Sequence, residues 1–329
     1  MDLRPSLLAV DVATLGSRLQ GLLPGTVSGA TPVLLAALGG SLTYYAGIFN
    51  IALEAMMLCG ALGAVLCADA SHSWLLGVIG GVAAAMVPAL LYLLFVIVVR
   101  TDEFVTGIAL NLASAGATTF LLRRVFHVSG SYNPGDLAQV PRLRVPGLRA
   151  IPVVGSLFRG DLNWLDVAAV VAAVVLGWMI RRSRGGLRLR AAGYNAASLE
   201  ASGVSVPLVR AWSVVWCGAL CGLAGAWLSI GYGRGFGENM TNGRGWIALV
   251  AVILARGRPA VIAVTALVFG LADAVGLFSQ GYGVPSQLSA MLPYLATLVA
   301  LFVAARRLRN GRQPALRDTG GPSTAAVRR

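Results

Sequence analysis

Apolar runs long enough to cross a bilayer recur along almost the whole chain, each close to the roughly 20 residues that a helix needs to span about 30 Å of hydrocarbon. They fall at 29–46, 52–70, 74–99, 105–122, 164–180, 210–231, 245–256, 259–279 and 286–305. The third is long and contains Pro88, which predicts a kink or a tilt. Residues 1–28 mix apolar positions with Asp11, Arg18 and several glycines, and read as an interfacial or short helical lead-in, not a full span. The pattern predicts an all-α, polytopic membrane helix bundle of about nine transmembrane helices, with the membrane domain over 29–305.

Two segments break the apolar rhythm. One is Ala46-Gly47-Ile48-Phe49-Asn50-Ile51-Ala52-Leu53-Glu54, which sets Asn50 and Glu54 inside an apolar stretch. The other, Gly231 to Gly245, reads GYGRGFGENMTNGRG and leads into an apolar run too short to span alone. Glycine-interrupted short segments in the two halves of a transporter point to its transport path. An ordinary loop between two helices explains the second segment equally well. Small residues at helix-packing spacing, such as Gly218 with Gly222, Gly225 with Ser229 and Ala36 with Gly40, suit close approach of helices in lipid.

Composition sharpens the class. The chain of 329 residues is 57% hydrophobic and 12% charged, about half the charge density of a soluble domain. The net charge of +13 comes from arginine, since lysine is absent. Arg181, Arg182, Arg184, Arg188 and Arg190 crowd one junction, and Arg306, Arg307, Arg309 and Arg312 follow the last run. Both clusters belong in the cytoplasm by the positive-inside rule. That places a cytoplasmic loop at 181–209, a basic tail at 306–329 and an external loop at 123–163. No soluble basic domain exists to carry nucleic acid. Cys59, Cys67, Cys217 and Cys221 lie in apolar stretches and read as packing residues, while His72 and His127 fall near helix ends; no metal set is expected.

Four motifs then add up. AGIFNIALEAMML (Ala46 to Leu58), TDEFVTGIALNL (Thr101 to Leu112), GLRLRAAGYNAASLEASGVSV (Gly186 to Val206) and GENMTNGRGWIAL (Gly237 to Leu249) occur in order over about residues 30 to 305. Together they resemble the bacterial ABC permeases for nucleosides and simple sugars, and among these the smaller of two paired nucleoside permeases. Tyr194, Ala196, Ala197 and Ala55 depart from the family's pattern. The resemblance implies an inner-membrane importer built from two homologous permeases, a cytoplasmic ATPase and an external substrate-binding lipoprotein. ATP and magnesium then belong to the ATPase, with no cofactor on this chain. It also implies that Gly186 to Val206 couples to the ATPase, through Gly193, Asn195, Ser198, Glu200 and Gly203. Asn195 suits the start of a short helix and Gly203 its end.

A substrate path is expected along Asn50, Glu54, Asn111, Glu238, Asn239, Thr241 and Asn242, where hydrogen-bonding groups outnumber fixed charges. That suits a neutral polar solute, a nucleoside or a sugar such as ribose or galactose. Hydrogen bonding between helices accounts for the same side chains equally well. The interrupted segments should meet, with Glu54 needing water or a donor such as Arg244, Asn242 or Asn111. The chain has no phosphate-binding glycine-lysine loop and is not the ATPase itself. A secondary transporter would need ionisable residues within its spans, for which only Glu54 and Asp273 qualify. Neither a HExxH site nor a channel filter is present.

Overall fold

Backbone polar groups find no partner in hydrocarbon, so apolar runs of this length close their hydrogen bonds internally as helices. The computed structural model describes residues 12–143, 162–280, 288, 291–299 and 302. Helices α1 (Val12–Tyr45), α2 (Leu53–Ser71), α3 (Trp74–Leu93) and α4 (Glu103–Phe126) form the first half. After short strands β1 (Ser131–Tyr132), β2 (Arg142–Leu143) and β3 (Leu162–Asn163) come α5 (Trp164–Arg182), α6 (Arg184–Tyr194) and α7 (Ala196–Ala201). The second half continues with α8 (Val206–Ala226), β4 (Phe236–Gly237), α9 (Arg244–Ala255) and α10 (Pro259–Gln280). Helices α3 and α8 both end in a π-helical turn, at Leu94–Val99 and Trp227–Tyr232.

Among the described residues, seven helices are long and apolar enough to cross a membrane. The expected count of nine differs on two runs. The run at 245–256 forms the twelve-residue α9, which at about 1.5 Å per residue covers only about 18 Å. The run at 286–305 falls largely outside the described residues, although 291–299 are helical. At the other end, α1 begins well before residue 29: it is one continuous helix from Val12, with Pro24 and Pro32 inside it. The lead-in is helical from Val12 onward; residues 1–11, the tail at 306–329 and positions 144–161 of the long loop lie outside the described residues.

Burial separates a central layer from a peripheral one. The spans in α1, α2 and α8 are each 72% buried, against 22–33% for those in α3, α4, α5 and α10. Glycine makes the centre possible. A Cβ on Gly60 of α2 would stand 2.9 Å from the Gly222 Cα of α8, and one on Gly222 would stand 2.7 Å from the Val82 Cα of α3. Gly225 lies against the backbone of Met57 and Ala61, and Gly40 against Val252 and Leu53. At Gly222 and Gly225 the spacing of small residues thus marks true backbone approaches, which in lipid replace the hydrophobic driving force by close packing.

The bundle has two distinct ends. At one, β1 pairs with β4 and β2 with β3, both antiparallel. At the other, α5 finishes on Arg181 and Arg182, and α6 and α7 are held by a small cluster of Ala192, Leu199 and Val206. A single short helix was expected there; the chain forms two. Ser183 caps α6 by accepting from Gly186 N, and Asn195 caps α7 by accepting from Ser198 N at 3.1 Å. Gly203 follows α7 in a left-handed conformation, φ 81°.

Gly60→Leu forces a branched side chain into the α2–α8 contact. Overpacking of this kind costs about 1–3 kcal/mol. Thermal unfolding in detergent micelles should show a lower midpoint for this variant, whereas Gly116→Leu, where a Cβ meets nothing within 4 Å, should leave it unchanged.

Candidate functional site

Two helices begin inside the bundle instead of at its surface. The first, α2, starts after the connector at residues 46–52. The second, α9, starts after the turns that follow β4. Their sequences repeat one another: Ile51-Ala52-Leu53-Glu54-Ala55 against Ile247-Ala248-Leu249-Val250-Ala251, with Leu58 and Leu254 in the same register. Four residues before each isoleucine stands a left-handed glycine, Gly47 at φ 76° and Gly243 at φ 71°. The repeat was open to sequence inspection once the two segments were laid side by side.

A helix start leaves backbone N–H groups without intrahelical partners. Neither Ala52 before α2 nor Gly243 before α9 supplies a side-chain cap. For α9 the acceptor is Glu54, whose carboxylate takes Gly243 N at 2.9 Å and Gly245 N at 2.6 Å. Glu54 is itself in the first turn of α2, so its charge lies between the positive ends of two helices. That explains how a buried carboxylate persists here without a cation. The donors are therefore peptide groups. Arg244 turns instead to Asp273, at 3.0 Å, and Asn111 serves α2: it accepts from Ala55 N at 2.9 Å and donates to Ile51 O at 3.1 Å.

The connector is held from several sides. Asn50 accepts from Ala52 N at 3.0 Å, and its amide reaches Cys217. Glu103 accepts from Phe49 N at 2.6 Å, Tyr92 donates to Phe49 O at 3.2 Å, and Arg210 donates to Ala46 O at 3.2 Å. Glu103, Tyr92 and Arg210 escaped the sequence reading, because their partners lie on the connector, more than forty residues away in the chain.

The remaining expected path residues divide. Asn239 and Asn242 are exposed and left-handed, at φ 54° and 44°, on the turns leading into α9. Tyr294 donates to Asn242 O at 2.8 Å. Thr241 is buried, and its hydroxyl has no hydrogen-bond partner among the described residues. Glu238 stands elsewhere, at the strand end, against Arg123 at 3.4 Å and Gly130 N at 3.2 Å. So the structure joins Glu54 to the α9 start but separates Glu238 and Asn50 from that contact. At the arginine end, Asn195, Ser198 and Glu200 are exposed on and before α7, while Gly193 lies against the backbone of Tyr45 and Gly47.

Helices that start within the bundle, capped by side chains from other helices and entered through a glycine-bearing connector or polar turns, are the build of a membrane permease. The chain belongs to the family described as "Branched-chain amino acid transport system / permease component", whose model matches residues 23–301. It is 31% identical to TsgC13 of Haloferax volcanii, named for a glucose ABC transporter permease, over 89% of this chain and 94% of that protein. It is 28% identical to NupQ, a guanosine ABC transporter permease protein of Bacillus subtilis, over 85% of this chain and 90% of that one. NupP, also a guanosine ABC transporter permease protein of Bacillus subtilis, is 27% identical over 85% of this chain and 80% of its own length. Among solved structures, PsaBC from Streptococcus pneumoniae in complex with Fab shares the fold, with a TM-score of 0.53 and 11% identity over 91% of this chain and 99% of that one. The protein is a multi-pass membrane permease of an ABC transport system.

Glu54→Gln leaves one of the two peptide donors facing an amide N–H. A hydrogen bond to a charged group contributes about 1.5–3 kcal/mol, so this variant should melt below wild type in detergent, and Glu54→Leu lower still. Equal melting midpoints in all three would remove Glu54 from the support of α9.

Proposed function

We propose that this permease imports a neutral polar solute, a nucleoside in the first instance, as one of two non-identical permease subunits in the inner membrane. The observation that carries the reading is the charge balance around the two interrupted helices. Glu54 is neutralised by helix starts, Arg244 by Asp273, and Glu238 by Arg123. What faces outward from the turns is amide, at Asn239 and Asn242, with the Tyr294 hydroxyl beside Asn242. An uncharged solute with many hydrogen-bonding groups meets such a surface without leaving a charge unpaired.

The names of the relatives support nucleosides and, as a second reading, glucose or another simple sugar. That two distinct guanosine permease proteins of one organism both resemble this chain supports a heterodimer. The absence of a phosphate-binding loop and of lysine supports an ATPase on a separate chain; that chain binds ATP and magnesium, and this one catalyses nothing. An external binding lipoprotein delivers the solute. The arginine end faces the cytoplasm, and α6 and α7 dock the ATPase there through the exposed face that carries Asn195, Ser198 and Glu200. Gly193 passes the movement on, because it touches the backbone at Tyr45 and Gly47.

Reconstitution with the co-encoded permease, ATPase and binding protein tests this. Uptake of labelled guanosine should follow ATP and survive collapse of proton and sodium gradients; gradient-driven uptake without ATP would sink the reading. Competition by unlabelled glucose or leucine separates sugar and amino-acid alternatives. In the same vesicles Gly193→Leu, which drives a side chain into the Tyr45 carbonyl region, should cut uptake at least tenfold while ATP hydrolysis persists. Coupled transport at the wild-type rate would remove Gly193 from the coupling contact.

A further inference from the structure

A cavity of about 170 Å³ lies between α1, α9, α10 and the helical residues near Tyr294. Room for a single water takes roughly 10–15 Å³, so this space admits a solute. Gly29 and Gly276 line it on one side, and Phe269 and Tyr294 give it aromatic surface. Its polar groups are Arg244 and Asp273 together with Asn242 and Gln280.

Two helix lengths place it well away from the arginine end. Arg244 opens α9, whose far end at Gly257 lies against Tyr44 and Tyr45 at the arginine end. Twelve residues put Arg244 about 18 Å from that end. Asp273 is on α10, which starts at Pro259 beside Gly177 at the same end; its place in the helix puts it about 21 Å away. Both lengths are shorter than a hydrocarbon core of about 30 Å.

An ion pair at this depth has to be explained. Charged side chains there are costly unless they meet a partner or water. The pair is not sealed: the two side chains keep 23% and 28% of their surface, and both residues line the cavity. A pair kept only for packing between α9 and α10 would be closed off by its neighbours. Left open, it offers two carboxylate oxygens as acceptors beside a planar guanidinium donor, with no net charge. Vicinal hydroxyl groups match this: each O–H donates to Asp273 while a hydroxyl oxygen accepts from Arg244. An aromatic or apolar face of the same solute fits over Tyr294 and Phe269.

We propose that this cavity is a transit site for a vicinal-diol solute, with Asp273 and Arg244 holding the diol. The inference rests on the permease reading above and adds to it the place and the chemistry of recognition. The diol can come from the ribose of a nucleoside or from a hexose, and the two sources are separable by experiment.

The test uses the reconstituted complex, with labelled guanosine and labelled glucose as separate probes. Arg244→Gln with Asp273→Asn keeps the cavity neutral but weakens its acceptors and donors. Leu277→Trp fills the cavity from its rim and leaves the pair intact. For the probe that wild type transports, both changes should lower the maximal uptake rate at least tenfold. The membrane level and the amount of partner ATPase that co-purifies should stay within twofold, which separates a lost solute contact from a lost complex. The probe whose uptake falls names the source of the diol. Wild-type uptake rates in both variants overturn the site while leaving the permease reading intact. Competition by leucine with no effect from either diol solute also overturns it. If wild type transports neither probe under ATP, the site and the solute class above fall together.

Discussion

Peptide N–H groups at the start of a helix have to be satisfied, and inside a bilayer water is not at hand to do it. Most of this permease follows from that constraint. Both α2 and α9 begin within the bundle, and neither carries a capping side chain of its own. The acceptors arrive from other helices: Glu54 for α9 and Asn111 for α2. Each cap therefore ties one helix to another, so that the polar necessities of the backbone also set the tertiary arrangement. A carboxylate between two helix starts is a stable place for a charge that elsewhere in hydrocarbon costs several kcal/mol.

Close packing supplies the rest. The central helices meet at glycine, where backbones come near enough for dispersion to act over many atoms. Polar caps at one level and glycine contacts at others divide the work. The caps fix where α2 and α9 start, and the glycine contacts fix how α2, α3 and α8 lie against each other. Peripheral helices carry broad apolar surface outward, as Val98, Leu112 and Val174 show with exposures of 63%, 72% and 67%. In a soluble protein such surface would be a liability; against lipid it costs nothing.

The bundle was legible in the sequence because hydrophobic length is a strong signal, and the two interruptions were legible because Asn50, Glu54 and the glycine-rich GYGRGFGENMTNGRG break an apolar background. Glu54 was recognisable as a residue in need of a partner, but the partner was not. Backbone donors leave no mark in a side-chain code, so Arg244 and Asn111 looked like better candidates than the peptides of Gly243 and Gly245. Glu238 looked like a path residue because it shares a motif with Asn239 and Asn242. Its place directly after β4 sets its carboxylate against Arg123 and Gly130 N, apart from the Glu54 contact. Arg210, Glu103 and Tyr92 were silent for the opposite reason: each is an ordinary helical residue until the connector folds beneath it.

The connector between α1 and α2 has a mechanical consequence. It spans only residues 46–52, and its backbone is bonded to side chains from α3, α4 and α8 while touching α6 through Gly193. A tether that short and that well anchored has no slack to absorb a displacement. On the coupling proposed above, a push on α6 would not stretch a loop but move a strut whose far end is the start of α2, and with it the carboxylate that holds α9. Seven residues would then carry a displacement at the surface to two helix starts inside the bundle.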